Sequence, residues 1–122
     1  MHSLKVLCVF LSVVAFGSMV MAGSKNSMGI HEVNNVTFVA PVRIGTALLP
    51  AGEYVVRHVM DQQEHIMVFQ SVQGKEEVKV KCTLVPLAKK ADRNEEIYKV
   101  NAKNERELQE LVFRGDTSKH VF

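Results

Sequence analysis

The strongest constraint on the fold is an alternating segment in the middle of the chain. Over residues 78–85, every second side chain is apolar, and Lys79 and Lys81 occupy intervening positions. Because successive side chains of a β-strand point to opposite faces, this pattern predicts a half-buried strand with its lysines in water. Pro86 ends the strand. The inward-facing set comprises Val78, Val80, Cys82 and Leu84.

Short segments rich in β-branched and aromatic residues recur along the rest of the chain, with turn residues between them. Besides the alternating segment, we predict strands at 36–39, 53–59, 65–70 and 96–100. Strands at about 8–12-residue spacing are typical of all-β domains. The sequence therefore predicts an antiparallel sandwich or small barrel of about six to eight short strands.

Residues 107–113 are compatible with two structures. Leu108, Leu111 and Val112 fit a helical spacing, and the local composition favours a helix. The apolar run that ends at Phe113 and the Arg114-Gly115-Asp116 turn that follows fit a strand better. We predict a strand here that returns as a hairpin over residues 120–122.

The strands at 53–59 and 65–70 form a predicted hairpin. A turn centred on Asp61 and Gln62 sets its register. The opposed pairs on the more apolar face are Tyr54 with Phe69, Val56 with Met67, and His58 with His65. Because it is the more apolar, this face should meet the core; a one-residue slip in register would exchange the two faces.

The predicted core combines the inward residues of all these strands. Cys82 belongs to it as a small buried hydrophobe, which we favour over a reactive or cross-linking thiol. The full set is Phe38, Tyr54, Val56, Met67, Phe69, Val78, Val80, Cys82, Leu84, Ile97 and Phe113.

The start of the chain resembles a secretory signal peptide. Lys5 precedes an apolar run over residues 6–16, and small residues lead to a cleavage point after Ala22. The apolar stretch falls short of the roughly 20 residues that a spanning helix needs, so we expect no membrane span after cleavage. We predict a signal peptide over 1–22, a mobile leader over 23–32 and an all-β domain over 33–122, exported to the periplasm or the cell exterior.

Charge and motifs exclude several classes of function. The full chain has a formal net charge of +2 with signs interspersed, which gives no electrostatic footprint for nucleic acid. No serine lies in a nucleophile-elbow motif. A chain of this size without a long loop offers little room for the carboxylate pair of a glycosidase. We therefore predict no enzymatic activity and no cofactor.

Two sets of residues are candidate binding sites. If the domain is a barrel with a cavity, Tyr54, Val56, Met67 and Phe69 would contact a small apolar ligand; in most small barrels such side chains fill the interior instead. His58 and His65 could supply two ligands to a metal ion, although zinc needs three or four. The alternative for these histidines is a hydrogen-bonded pair at the rim of the apolar face.

The chain resembles an uncharacterised group of small exported bacterial proteins in three places. These are residues 38–45, residues 49–56 with the turn-strand sequence Leu-Pro-Ala-Gly-Glu-Tyr, and the C-terminal His120-Val121-Phe122. The resemblance implies an all-β fold and export, and it brings no substrate, cofactor or catalytic residue. The predicted function is a non-catalytic binding or structural module of the cell envelope. Its partner would be an envelope protein bound at a sheet edge or at the Lys79 and Lys81 face; the alternative is a β-barrel for a small apolar ligand.

Overall fold

A computed structural model of the chain describes residues 28–122, so the predicted signal peptide and the first part of the predicted leader lie outside the described residues. The described part is all-β and contains no helix. Its strands are β1 (Val33–Phe38), β2 (Val42–Ile44), β3 (Ala47–Leu49), β4 (Gly52–Asp61), β5 (Glu64–Ser71), β6 (Glu77–Lys81), β7 (Thr83–Pro86), β8 (Glu95–Val100), β9 (Arg106–Val112) and β10 (Ser118–Val121).

The ten strands form two sheets that pack as a sandwich and do not close into a barrel. The first sheet has the antiparallel order β1-β4-β5-β6. The second has the order β3-β2-β9-β10-β7, and β8 pairs with β9. Within it, β2 and β9 run parallel and the other pairs are antiparallel. The predicted all-β class and the sandwich alternative are therefore confirmed.

The alternating segment 78–85 does not form one continuous strand. The structure divides it into β6 in the first sheet and β7 in the second, with Cys82 between them. The Cys82 N–H still donates to the His65 carbonyl oxygen of β5 over 3.0 Å. The chain therefore changes sheets immediately after Cys82, which keeps that side chain buried between the layers.

The predicted register of the β4–β5 hairpin is wrong by two residues. The turn consists of Gln62 and Gln63, whose φ angles of 52° and 80° are both positive, as a two-residue hairpin turn requires. The pairs are consequently Tyr54 with Ser71, Val56 with Phe69, His58 with Met67, and Met60 with His65. Because side chains alternate with a period of two, this shift leaves every residue on its predicted face.

The core lies between the sheets, and most of its predicted members are confirmed. Phe38 contacts the rings of Tyr54 and Phe69, at centroid distances of 5.5 and 6.4 Å. Ile97 was wrongly assigned to the core, since its side chain is 41% exposed. A bulge between Ile97 and Tyr98 shifts the alternation of β8, and Tyr98 packs against the core instead. Further buried residues are Val36, Val42, Ile44, Leu49, Leu108 and Leu111.

The C-terminal hairpin agrees with the sequence prediction. Residues 107–113 fall almost entirely within strand β9, and β10 returns antiparallel to it, with His120 opposite Leu111. On its other side β10 pairs with β7, where His120 lies opposite Leu84. β10 is thus an interior strand of the second sheet.

The segment before β1 packs against the sandwich over its described part. Ile30 is fully buried. The carbonyl oxygen of Gly29 accepts a hydrogen bond from the Thr117 N–H over 2.9 Å. His31 binds Asp116, which is also fully buried. Residues 29–31 therefore contact the turn between β9 and β10.

Candidate functional site

The four residues considered as ligand contacts lie in the packed interior. Tyr54, Val56, Met67 and Phe69 are each at most 1% exposed and belong to one cluster of core residues. The Tyr54 hydroxyl donates to the Pro50 carbonyl oxygen over 2.7 Å, so its polar end is also satisfied. None of these four side chains lines the open cleft beside β1 or the open cleft beside Cys82, both described below.

His58 and His65 are in direct contact, as the sequence predicts, but as diagonal rather than opposed neighbours. His58 Nε2 lies 3.0 Å from His65 Nδ1, a hydrogen-bond distance. Such a bond needs one ring nitrogen to carry a proton and the other to accept it. Among residues 28–122, no group of three or more His, Cys, Asp or Glu side chains is placed to hold a metal ion.

A third histidine, absent from the predicted core, completes this cluster. His120 is fully buried, and its ring centroid lies 5.7 Å from that of His58 and 5.6 Å from that of Phe113. We call His58, His65 and His120 the histidine cluster. The alternation of Ser118, His120 and Phe122 is the sequence signal that could have placed His120 inward.

The surroundings of His120 and His58 favour their neutral imidazoles. Burial, together with the smaller effects of the nearby His58 and His65 rings, lowers the pKa of His120 to about 4. Burial, then His65, also lowers the pKa of His58, while Glu32 acts in the opposite direction. At neutral pH, His120 is therefore uncharged.

A second buried polar contact joins the start of the domain to the turn after β9. Asp116 Oδ1 accepts from the His31 backbone N–H over 3.1 Å and lies 2.7 Å from His31 Nδ1. The carboxylate is fully buried, whereas the His31 side chain is 22% exposed. This arrangement orients the imidazole and stabilises the carboxylate away from water.

The free edges of the two sheets differ in how well they are protected from pairing. β6 carries Lys79 and Lys81, β8 contains a bulge and charged residues, and β7 ends in Pro86. The remaining edge strand of the second sheet, β3, has only three residues and is followed by Pro50. Charges, bulges and prolines all discourage pairing with another chain. β1, by contrast, has no charged residue, no proline and no register shift along its pairing with β4.

The outward side of β1 can be identified from its pairing. The Glu32 carbonyl oxygen accepts from the His58 N–H over 2.9 Å. Every second residue after Glu32 therefore directs its backbone N–H and C=O groups toward β4. The backbone N–H and C=O groups of Val33, Asn35 and Thr37 consequently face away from the sheet. Among the described strands, β1 pairs with β4 alone.

An open cleft of about 290 Å³ borders β1. Asn35 and Thr37 line one side, and Glu95 and Glu96 at the start of β8 line the other. Asn94 and the buried side chains of Val36, Leu111, Val112 and Phe113 complete the lining. The edges of the two sheets thus flank one unclosed side of the sandwich.

The Lys79 and Lys81 face is exposed, as predicted, but it carries both signs of charge. Lys81 Nζ lies 3.1 Å from a Glu64 carboxylate oxygen. Arg57 and Glu77 form a looser pair at 3.8 Å on the same sheet. Exposed pairs of this kind contribute little binding energy and do not form a uniformly basic surface.

Within residues 28–122, no helix is long and apolar enough to cross a membrane. No family model, curated protein or solved structure significantly matches this chain.

Proposed function

We propose that the chain is a non-catalytic binding module exported to the cell envelope, and that it binds an extended segment of another envelope protein along β1. Export rests on the signal-peptide pattern of residues 1–22. The observation that carries the binding proposal is the uncharged outer edge of β1 beside the open cleft. An incoming strand would hydrogen-bond to the outward backbone groups of β1, which is the mode of recognition called strand addition.

The lining of the cleft indicates the chemistry of the partner. A strand added to β1 would direct alternate side chains toward Leu111 and Phe113, so these positions should be apolar. Glu95 and Glu96 on the opposite side favour a basic residue near the end of the segment. The alternative, a small apolar ligand inside the domain, has less support because Tyr54, Val56, Met67 and Phe69 pack against each other in the core.

Site-specific cross-linking in the producing cell tests this proposal. A photoreactive amino acid is placed at Asn35 on β1, and a matched one at Lys79 on β6, the other edge of the same sheet. We expect a cross-linked partner from position 35 and none from position 79. Equal cross-linking from both positions, or from neither, would contradict binding along β1.

Asn35→Pro tests whether the contact uses the backbone. The substitution removes an outward N–H while leaving the β1–β4 hydrogen bonds in place, since edge strands tolerate proline on their free side. We expect loss of the partner with unchanged thermal unfolding. Lys79→Pro is the matched control, because the Ser71 N–H to Glu76 oxygen bond places the Lys79 N–H on the free side of β6. This control should keep the partner.

A further inference from the structure

The histidine cluster spans the contact between the two sheets. His58 on β4 and His65 on β5 belong to the first sheet, and His120 on β10 belongs to the second. The His58 ring is within 5.1 Å of the His65 ring and 5.7 Å of the His120 ring, measured between centroids. Three side chains that ordinarily titrate near neutral pH thus share one site between the layers.

The surroundings of His120 disfavour a charged ring. The side chain is fully buried, and neither ring nitrogen has a hydrogen-bond partner within the described part of the chain. Its cross-strand neighbours, Leu111 on β9 and Leu84 on β7, are apolar, and Phe113 packs against its ring. An imidazolium at this place would be desolvated without compensation.

The titratable groups near the cluster do not supply a counter-charge to His120. The carboxylate of Glu32, before β1, acts on His58. Asp116, near the start of β10, is bonded to His31. Burial raises the pKa of the Cys82 thiol to about 11, so it stays neutral in acid. On β9, the Glu110 carboxylate is bonded to Lys119 of β10 over 2.9 Å. The charged groups that act on His120 are the His58 and His65 imidazoles, so a proton on the His120 ring meets two more imidazoles.

We propose that the histidine cluster is an acid-sensitive switch: proton uptake by His120 and His58 separates the two sheets at this end of the sandwich and exposes Cys82. Cys82 reports on this region because its N–H is bonded to the His65 carbonyl oxygen. It also lines an open cleft of about 450 Å³ together with His65, Val121 and Phe122. Loosening β10 from β5 would widen this cleft and expose the buried Cys82 thiol to solvent.

The sign of the effect follows from the direction of the pKa shift. His120 has a pKa of about 4 in the folded chain, below the ordinary value of 6.5. The unfolded or opened chain therefore binds protons more readily, and the closed form keeps its full stability only above about pH 6.5. As the pH falls from 7 to 4, the equilibrium constant for opening should rise roughly 100-fold.

Thiol accessibility measures this opening. In a Cys8→Ser background, Cys82 is the only thiol, and 4,4′-dithiodipyridine reacts with thiols in acid as well as at neutral pH. We expect its rate with Cys82, relative to the denatured chain at the same pH, to rise roughly 100-fold between pH 7 and pH 4. His120→Leu should abolish most of this rise, and His31→Asn, a histidine outside the cluster, should retain it.

A titration of the unsubstituted chain decides the matter if His120→Leu fails to fold. Imidazole chemical shifts from nuclear magnetic resonance should show His120 neutral down to about pH 5, with changes at β10 amides accompanying its protonation. The proposal is overturned if His120 titrates near pH 6.5 without those changes. It is also overturned if the Cys82 rate is flat in acid, or if the rise survives in His120→Leu.

Discussion

Buried polar side chains in this domain connect parts of the chain that are far apart in sequence. Asp116 accepts from His31, which lies 85 positions earlier in the chain, whereas the Tyr54 hydroxyl donates locally, to the Pro50 carbonyl oxygen four residues before it. Near the surface, the Arg43 guanidinium donates two hydrogen bonds to Glu105, at 3.0 and 2.8 Å, and holds the pKa of that carboxyl at about 2. Because each contact has a defined geometry, these residues help to specify how the strands are arranged as well as how stable they are.

Cys82 should react slowly with thiol reagents at alkaline pH. Its pKa of about 11 leaves far less thiolate at pH 8 than the ordinary value of 9.0. In a Cys8→Ser background, we expect 5,5′-dithiobis(2-nitrobenzoic acid) to label the native chain at least about 100-fold more slowly than the chain in guanidinium chloride. Comparable rates in the two states would show that the thiol is accessible in the folded domain.

The β4–β5 hairpin shows which features of a strand element can be predicted from sequence. Tyr54 and Met67 were assigned to the correct face because alternation is a local property of each strand. The register was wrong because Gln62 and Gln63 carry no turn signature, although both adopt positive φ. In β8, likewise, the bulge at Ile97 follows from pairing with β9 and leaves no mark in the local pattern.

Replacing Gln63 with glycine should stabilise the hairpin. Gln63 has a φ of 80°, a region that costs a non-glycine residue about 1 kcal/mol or more. We expect Gln63→Gly to raise the free energy of unfolding by about 1 kcal/mol, measured from the midpoint of urea denaturation. Gln73→Gly is the matched control, since Gln73 is exposed and has no positive φ. A destabilised Gln63→Gly chain would contradict the observed turn.

At the scale of the whole molecule, the fold class was predictable and the assembly of the sheets was not. Short alternating segments were sufficient to indicate an all-β domain. The crossing from β6 to β7 at Cys82 depends on non-local pairing, which an uninterrupted alternating sequence does not reveal. His120 and Ile30 were missed for other reasons: histidine is not a typical core residue, and Ile30 precedes the first strand signal.

The burial of Ile30 leads to a prediction about where the domain begins. If residues 29–31 belong to the sandwich, a chain beginning at Glu32 loses a buried isoleucine, worth about 2–3 kcal/mol. It also leaves the Asp116 carboxylate without His31, which costs a further 1–3 kcal/mol or so. We therefore expect this chain to be less stable by about 3 kcal/mol or more than one beginning at Gly23, as measured by urea denaturation.

Point substitutions in the full chain separate side-chain burial from the effect of truncation. Ile30→Ala should cost about 2–4 kcal/mol, because it leaves a cavity against the turn between β9 and β10. Val33→Ala, three residues later and 58% exposed, should change the stability by less than about 0.5 kcal/mol. If Ile30→Ala and the chain beginning at Glu32 both unfold at the same denaturant concentration as their references, the domain begins at β1 and the sequence prediction of a leader ending at Glu32 stands. Losses in both place the boundary before Gly29, so that the His31–Asp116 contact closes the domain from its first residues.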